Sequence, residues 1–190
     1  MGNYSSSRLL QADNTLLMVV DIQEKLLPAM ENPEKLIEKV SILLKASKAL
    51  NLPVLVSEQV PAKLGTTTGE LQSCLPVEAT ILHKTAFGCG QDSHILTHLS
   101  RLNRKQVILC GLETHVCVNQ TAHQLMDEGY QVHLMTDASQ SRHKRDYKMA
   151  LIRMTQSGII PSTVESALFE LMSTSEHPAF RLVQSLVKSC

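Results

Sequence analysis

The chain has no tryptophan, and aromatic residues make up only 3% of its 190 positions. Few flat side chains are therefore present on which nucleic acid bases could stack. An excess of either charge is also missing, because eighteen lysines and arginines balance eighteen aspartates and glutamates. That balance removes both the basic stripe of a nucleic-acid binder and the acidic block of a disordered tail. A small molecule is the expected partner. No apolar run reaches the length of a membrane span, and the opening Met1-Gly2-Asn3-Tyr4-Ser5-Ser6-Ser7 lacks the charged and apolar segments of a signal peptide. Gly2 with Ser6 fits the loose N-myristoylation pattern, but one lipid signal without a polybasic patch anchors weakly. No membrane partner is expected.

Cysteine is scarce in the patterns that would make it structural. Cys74, Cys89, Cys110, Cys117 and Cys190 are an odd set with no CxxC pair, unlike a disulfide framework or a structural zinc site. A reducing, cytoplasmic setting fits this usage. No cofactor signature is present either. Gly88-Cys89-Gly90 opens like a dinucleotide loop, but Ser93 stands where the third glycine of GxGxxG would be, and no P-loop occurs.

What is there is an alternation of apolar runs and helix-length amphipathic segments. With 43% hydrophobic residues the chain can bury one core, so a single domain over 1–190 is expected, with about residues 1–12 as a polar extension. Thr15–Val20, Val54–Val56, Thr80–Leu82, Gln106–Cys110, Gln131–Met135 and Ser162–Val164 read as six strands. Between them, Asn32 and Pro33 start a helix that ends near Asn51-Leu52-Pro53. Ile95, Leu96, Leu99 and Leu102 share one helix face, and further helices run from about Thr114 to Glu128 and from Lys144 to Gln156. This is the pattern of an α/β fold, a mostly parallel six-stranded sheet between two helix layers.

Open α/β sheets bind ligands outside the carboxyl ends of their strands. Asp21, Lys84 and Cys117 follow the first, third and fourth strands, so the fold can bring them to one edge. A helix N-terminus favours anions, so a thiol at Cys117 is expected to be more acidic than usual and its neighbouring amides to suit an oxyanion. Asp21 would take the thiol proton and Lys84 would supply positive charge. Each residue also has a plainer reading. A carboxylate after a strand caps a turn, a strand-end lysine is solvated, and a cysteine in an apolar helix packs in the core.

Three segments together carry a resemblance. Asp21-Ile22-Gln23, Lys84-Thr85 with Phe87, and Gly111-Leu112-Glu113-Thr114-His115-Val116-Cys117 resemble the motifs of the isochorismatase-like cysteine hydrolases, over most of the chain. Ser57-Glu58-Gln59 with Pro61 and Leu64-Gly65 is most similar to the isochorismatase-domain-containing branch. The resemblance implies a three-layer, Rossmann-like hydrolase fold, with Cys117 as nucleophile, Asp21 as acid/base and Lys84 as the charge that organises both. It also implies a cis peptide between Leu112 and Glu113 that aims the Val116 and Cys117 amides at an oxyanion, and a homo-oligomer; the apolar 180–187 stretch suits either such an interface or packing on the chain's own core.

Around that centre, Gln23, Glu58, Phe87 and His115 are candidates to touch the substrate, and each also has a structural reading. Nicotinamidases of the superfamily carry an Asp-x-His metal motif after the second strand, whereas residues 57–72 contain neither Asp nor His. No metal or other cofactor is expected. His94 and His98 share a helix face without a visible third ligand. The resemblance thus implies hydrolysis of an amide, imide or related acyl substrate through a Cys117 intermediate. Alternatives are vinyl ether hydrolysis led by Asp21, or a non-catalytic binding or redox-responsive scaffold. Cys89 is the rival thiol, and the 62–73 loop, rich in glycine and threonine, is a candidate lid.

Overall fold

The computed structural model describes residues 8–188; the Gly2–Ser6 pattern and Cys190 lie outside them. Six strands, β1 (Thr15–Val20), β2 (Val54–Gln59), β3 (Thr80–Lys84), β4 (Gln106–Leu112), β5 (Gln131–Gln140) and β6 (Ile160–Ser162), form one sheet. Their order is β3-β2-β1-β4-β5-β6, and every neighbouring pair is parallel. The chain order reverses beside β1, between β2 and β4. That is the place where two loops diverge from adjacent strand ends and leave a crevice.

Helices α1 (Pro33–Ala49), α2 (Pro61–Leu64), α3 (Gly69–Gln72), α4 (Ser93–Arg101), α5 (Asn119–Asp127), α6 (Lys144–Gln156), α7 (Val164–Met172) and α8 (Phe180–Lys188) complete the fold. Strand residues point alternately to the two faces, and each face has its own core. Leu17, Val19, Val54, Val56 and Ile108 pack beneath α1, α7 and α8. Leu16, Met18, Val20, Leu55 and Leu109 pack against Ile95, Leu99, Val118, Ala122, Leu125 and Met154, from α4, the α5 segment and α6. Both faces are covered, which is why β1, β2 and β4 are buried along their whole length rather than alternating. No helix among the described residues is long and apolar enough to cross a membrane.

Several boundaries differ from the sequence expectation. The sixth strand ends at Ser162 because the Thr163 hydroxyl caps α7, accepting from the Ser166 amide. β5 runs on past Met135 to Gln140, with a register shift between Leu109 and Gly111 on its partner β4. Residues 10–12, the end of the polar extension, are fastened to the domain. Leu10 is buried, its amide donates to the Glu170 carboxylate, and the Ala12 carbonyl accepts from Arg104.

The 62–73 segment is likewise fastened rather than free. The Thr67 amide and hydroxyl both donate to Glu58 Oε1, at 2.7 and 2.8 Å. The amides of Glu24, Lys25 and Thr68 tie it to the chain after β1. These bonds hold it as a wall beside the crevice.

Candidate active site

Gly111 sets the geometry at the switch point. Its φ is +125°, and a Cβ there would lie 2.0 Å from the Val20 carbonyl oxygen. Only glycine lets β4 approach β1 so closely. The next residues on both strands, Asp21 and the 112–117 turn, are thereby drawn together.

Asp21 itself has a left-handed backbone, φ 52°, with its amide bonded to the Ser57 carbonyl. Non-glycine residues seldom adopt this region, and Asp is among those that do. The carboxylate is completely buried and uses both oxygens: Oδ1 accepts from Ser57 Oγ at 2.8 Å and Oδ2 from Lys84 Nζ at 2.6 Å. Lys84, 3% exposed, also donates to Gln59 Oε1 at 2.7 Å and to the carbonyls of Phe87 and Ala86 at 3.0 and 3.3 Å. The ammonium is therefore held by its neighbours rather than left at a solvated strand end.

Cys117 is 6% exposed and lies in a π-helical turn, Thr114–Val118, that leads into α5. The Asp21 carboxylate is close enough to act on its thiol electrostatically. Burial first, and the Asp21 charge second, push the thiol pKa up, with Lys84 pulling the other way. The expectation of an acidified thiol is thus corrected. A buried site beside a carboxylate outweighs the helix end. Burial also raises Asp21 above the ordinary carboxylate value, against the pull of Lys84, Ser57 and Cys117. A carboxylate shifted in this direction is a better proton acceptor near neutral pH.

The remaining sequence candidates divide by strand parity and hydrogen bonding. Ser57 and Gln59 point to the Asp21–Lys84 side, whereas Glu58 between them points to the other. Its carboxylate is committed to Thr67 and to His83 Nε2 at 3.3 Å, which gives it a bracing task instead of a substrate contact. Gln23 is wholly buried. Its amide donates to the carbonyls of Gln59 and Gly65 and accepts from the Gln59 amide, so it clamps the loops.

The Leu112–Glu113 peptide is cis, and Leu112 is buried under α1. The Val116 amide donates to the Glu113 carbonyl at 3.0 Å, so it is spent within the turn. The Glu113 amide, in contrast, has no acceptor among the described residues. The Glu113 carboxylate holds the Arg142 amide and Nε, at 3.0 and 3.1 Å, and His115 Nδ1 pairs with Ser141 Oγ at 3.0 Å. Both fasten the turn that carries Cys117 to the end of β5. His115 opens into a separate cleft with Asn119, Asp146 and Arg153. Phe87 is 56% exposed, with its carbonyl on Lys84, and forms an apolar edge near the site.

Ser57 and Gln59 stand in the sequence reading only as part of the motif that carries the resemblance, without a role at the site, and Thr121 does not stand there at all. The signal for the first two was present: polar residues two apart at the end of an otherwise apolar strand, Val54-Leu55-Val56-Ser57-Glu58-Gln59. Among the described residues, no three His, Cys, Asp or Glu come together in an arrangement that would hold a metal ion.

The isochorismatase domain profile matches residues 15–166, which spans all three motifs and all six strands. The chain belongs to the isochorismatase family. Isochorismatase domain-containing protein 2 of Danio rerio is 35% identical over 179 residues, covering 94% of this chain and 89% of that protein. Isochorismatase domain-containing protein 1 of Salmo salar is also 35% identical, over 92% of this chain, but the chain spans only 61% of its length. The solved structure of the MAR1 ribonuclease from Caenorhabditis elegans superposes with a TM-score of 0.90 at 34% identity, covering 95% of this chain and 92% of that one. These relatives give an isochorismatase-like hydrolase domain on a three-layer α/β fold.

Proposed function

We propose that this domain hydrolyses a small amide, imide or related acyl compound through a thioester on Cys117, without a cofactor. The carrying observation is the buried pair in which Lys84 Nζ lies 2.6 Å from Asp21 Oδ2, with Cys117 buried beside it where the Asp21 charge raises its thiol.

In this reading Asp21 removes the thiol proton as Sγ attacks the acyl carbon, so a free thiolate never accumulates. Lys84 stays charged and steadies the carboxylate in both directions of proton transfer. The oxyanion takes the amides of Cys117 and Glu113, the Val116 amide being engaged by the Glu113 carbonyl. One such donor is typically worth roughly 3 to 4 kcal/mol of barrier. Asp21 then hands its proton to the leaving nitrogen, and water deprotonated by Asp21 releases the acid product. Phe87 offers an apolar contact for the substrate at the mouth of the site.

A second reading rests on Asp21 alone. Its raised pKa also suits protonation of a vinyl ether, a reaction that needs no thiol.

The test is intact-mass spectrometry during turnover of a panel of small amides, imides and vinyl ethers by the wild type and Cys117→Ala. An acyl adduct mapped to Cys117, absent in a folded but inactive Cys117→Ala, is the expected result. Undiminished turnover by Cys117→Ala would transfer the chemistry to Asp21.

A further inference from the structure

Gln59, the last residue of β2, has no part in the mechanism above, yet it is buried and each of its polar atoms is engaged. The parallel register sets it opposite Lys84. Its carboxamide presents two unlike ends: Oε1 accepts from Lys84 Nζ at 2.7 Å, and Nε2 donates to the Thr85 carbonyl at 2.7 Å. The main chain of the same residue is gripped by Gln23, whose Oε1 accepts from the Gln59 amide at 2.7 Å and whose Nε2 donates to the Gln59 carbonyl at 3.1 Å. One orientation of the side chain is thereby fixed. A flipped carboxamide would set N–H groups against an ammonium and an oxygen against a carbonyl.

An ammonium has three hydrogens. Around Lys84 they meet Asp21 Oδ2 at 2.6 Å, Gln59 Oε1 at 2.7 Å, and the carbonyls of Phe87 and Ala86 at 3.0 and 3.3 Å. The two carbonyls belong to a loop that is itself fastened. Gln59 holds it at Thr85, and the Cys89 and Gly90 amides donate to Thr121 Oγ1 and Gln124 Oε1 on α5, at 3.0 and 2.9 Å. Of the four acceptors only Asp21 carries charge. Gln59 therefore solvates the ammonium without competing for its charge, and its hold does not depend on whether Asp21 has taken a proton.

We propose that Gln59 is a positioning residue for the hydrolysis: it keeps the Lys84 ammonium in place through both protonation states of Asp21, and it does so because its carboxamide is neutral. This rests on the Asp21, Lys84 and Cys117 reading and gives Gln59 no contact with substrate. In that reading the thiol proton moves to Asp21, and for that interval the ion pair has lost its anion. A buried ammonium held by the carboxylate alone would then stand uncompensated, which is costly. Gln59 and the two loop carbonyls supply the remaining hydrogen bonds, so Lys84 need not leave and return with each turnover. A glutamate at position 59 fills the same space and reverses the effect. Its charge draws the ammonium away from Asp21, and its second oxygen faces the Thr85 carbonyl.

The test compares Gln59→Glu and Gln59→Met with the wild type, using urea unfolding to establish that each variant is folded. The pH midpoint for Cys117 alkylation needs no substrate and reads the charge beside the thiol, which Asp21 pushes up and Lys84 pulls down. Gln59→Glu should raise that midpoint by roughly one pH unit. Gln59→Met should raise it by less, since it removes one acceptor and adds no charge. In a Lys84→Met background the same Gln59→Glu change should move nothing further, because a buried carboxyl without a cation takes up a proton. In turnover, Gln59→Met should lower kcat by roughly ten- to a hundredfold and leave KM little changed. A midpoint that stays put in the folded variants, or an equal shift with and without Lys84, would overturn the proposal. So would a raised KM at unchanged kcat, the mark of a substrate contact. Absence of turnover in the wild type would count against the hydrolase reading alone, and the alkylation midpoints would still decide whether Gln59 governs Lys84.

Discussion

Replacing Lys84 by methionine keeps the length and apolar stem of the side chain and removes its charge from a site where neither partner of the ion pair is exposed. Asp21 is then left with Ser57 as a hydrogen-bond donor and no counter-charge. It can remain charged in a dry site or take a proton. For a carboxyl whose ordinary pKa is 3.8, protonation at pH 7 costs about 4 kcal/mol, at about 1.4 kcal/mol per pH unit. This value caps the charge penalty and falls within the roughly 3 to 5 kcal/mol lost when one member of a buried pair is removed. The variant's folded carboxyl has a pKa above its unfolded value, so the folded state binds the extra proton. Stability therefore falls as pH rises, by about 1.4 kcal/mol per unit between about pH 4 and pH 7. Urea unfolding of the wild type, Lys84→Met and Asp21→Asn/Lys84→Met across that range is the assay. The neutral double variant should recover most of the loss at pH 7 and should lack the variant's slope. A Lys84→Met protein within about 1 kcal/mol of wild type at pH 7, or a double variant no more stable than the single, would refute the buried-pair argument.

Other substitutions test the remaining parts. Asp21→Asn removes the charge that raises the thiol, so the pH midpoint for Cys117 alkylation should fall even as turnover is lost; a midpoint that rises would contradict the coupling. Ser57→Ala removes a hydrogen bond that holds the Asp21 carboxyl down, and the acidic limb of the kcat/KM profile should move to higher pH. Gly111→Ala drives a Cβ into the Val20 backbone at a φ of +125°, a clash no side-chain movement relieves, and should cost more than about 4 kcal/mol in thermal or urea unfolding. Glu58→Gln weakens the double bond to Thr67, costing about 1 to 3 kcal/mol, and limited proteolysis should then cut between residues 60 and 68 before the sheet opens.

Much of the architecture was legible because it depends on local patterns. The doubly covered parallel sheet follows from unbroken apolar strands alternating with amphipathic helices, and the start of α1 at Asn32-Pro33 follows from helix-end chemistry. Asp21, Lys84 and Cys117 were placed at strand ends by the same reasoning. Less legible was which polar neighbours would be consumed by the scaffold. Gln23 and Glu58 have the composition of ligand-binding groups, and only the loops folded over them show that their hydrogen bonds are already used. Ser57 and Gln59 were hidden for the opposite reason, since their role depends on the parity of β2 against β1 and β3.

By itself, then, the sequence determined the layers, the strand ends and the identities of a base, a cation and a thiol, because periodicity and turn chemistry are encoded residue by residue. Tertiary structure decided the acidity of that thiol and the company of that cation. Burial and a carboxylate brought from another strand end override the helix terminus, and the register of β2 against β3 sets Gln59 against the Lys84 ammonium.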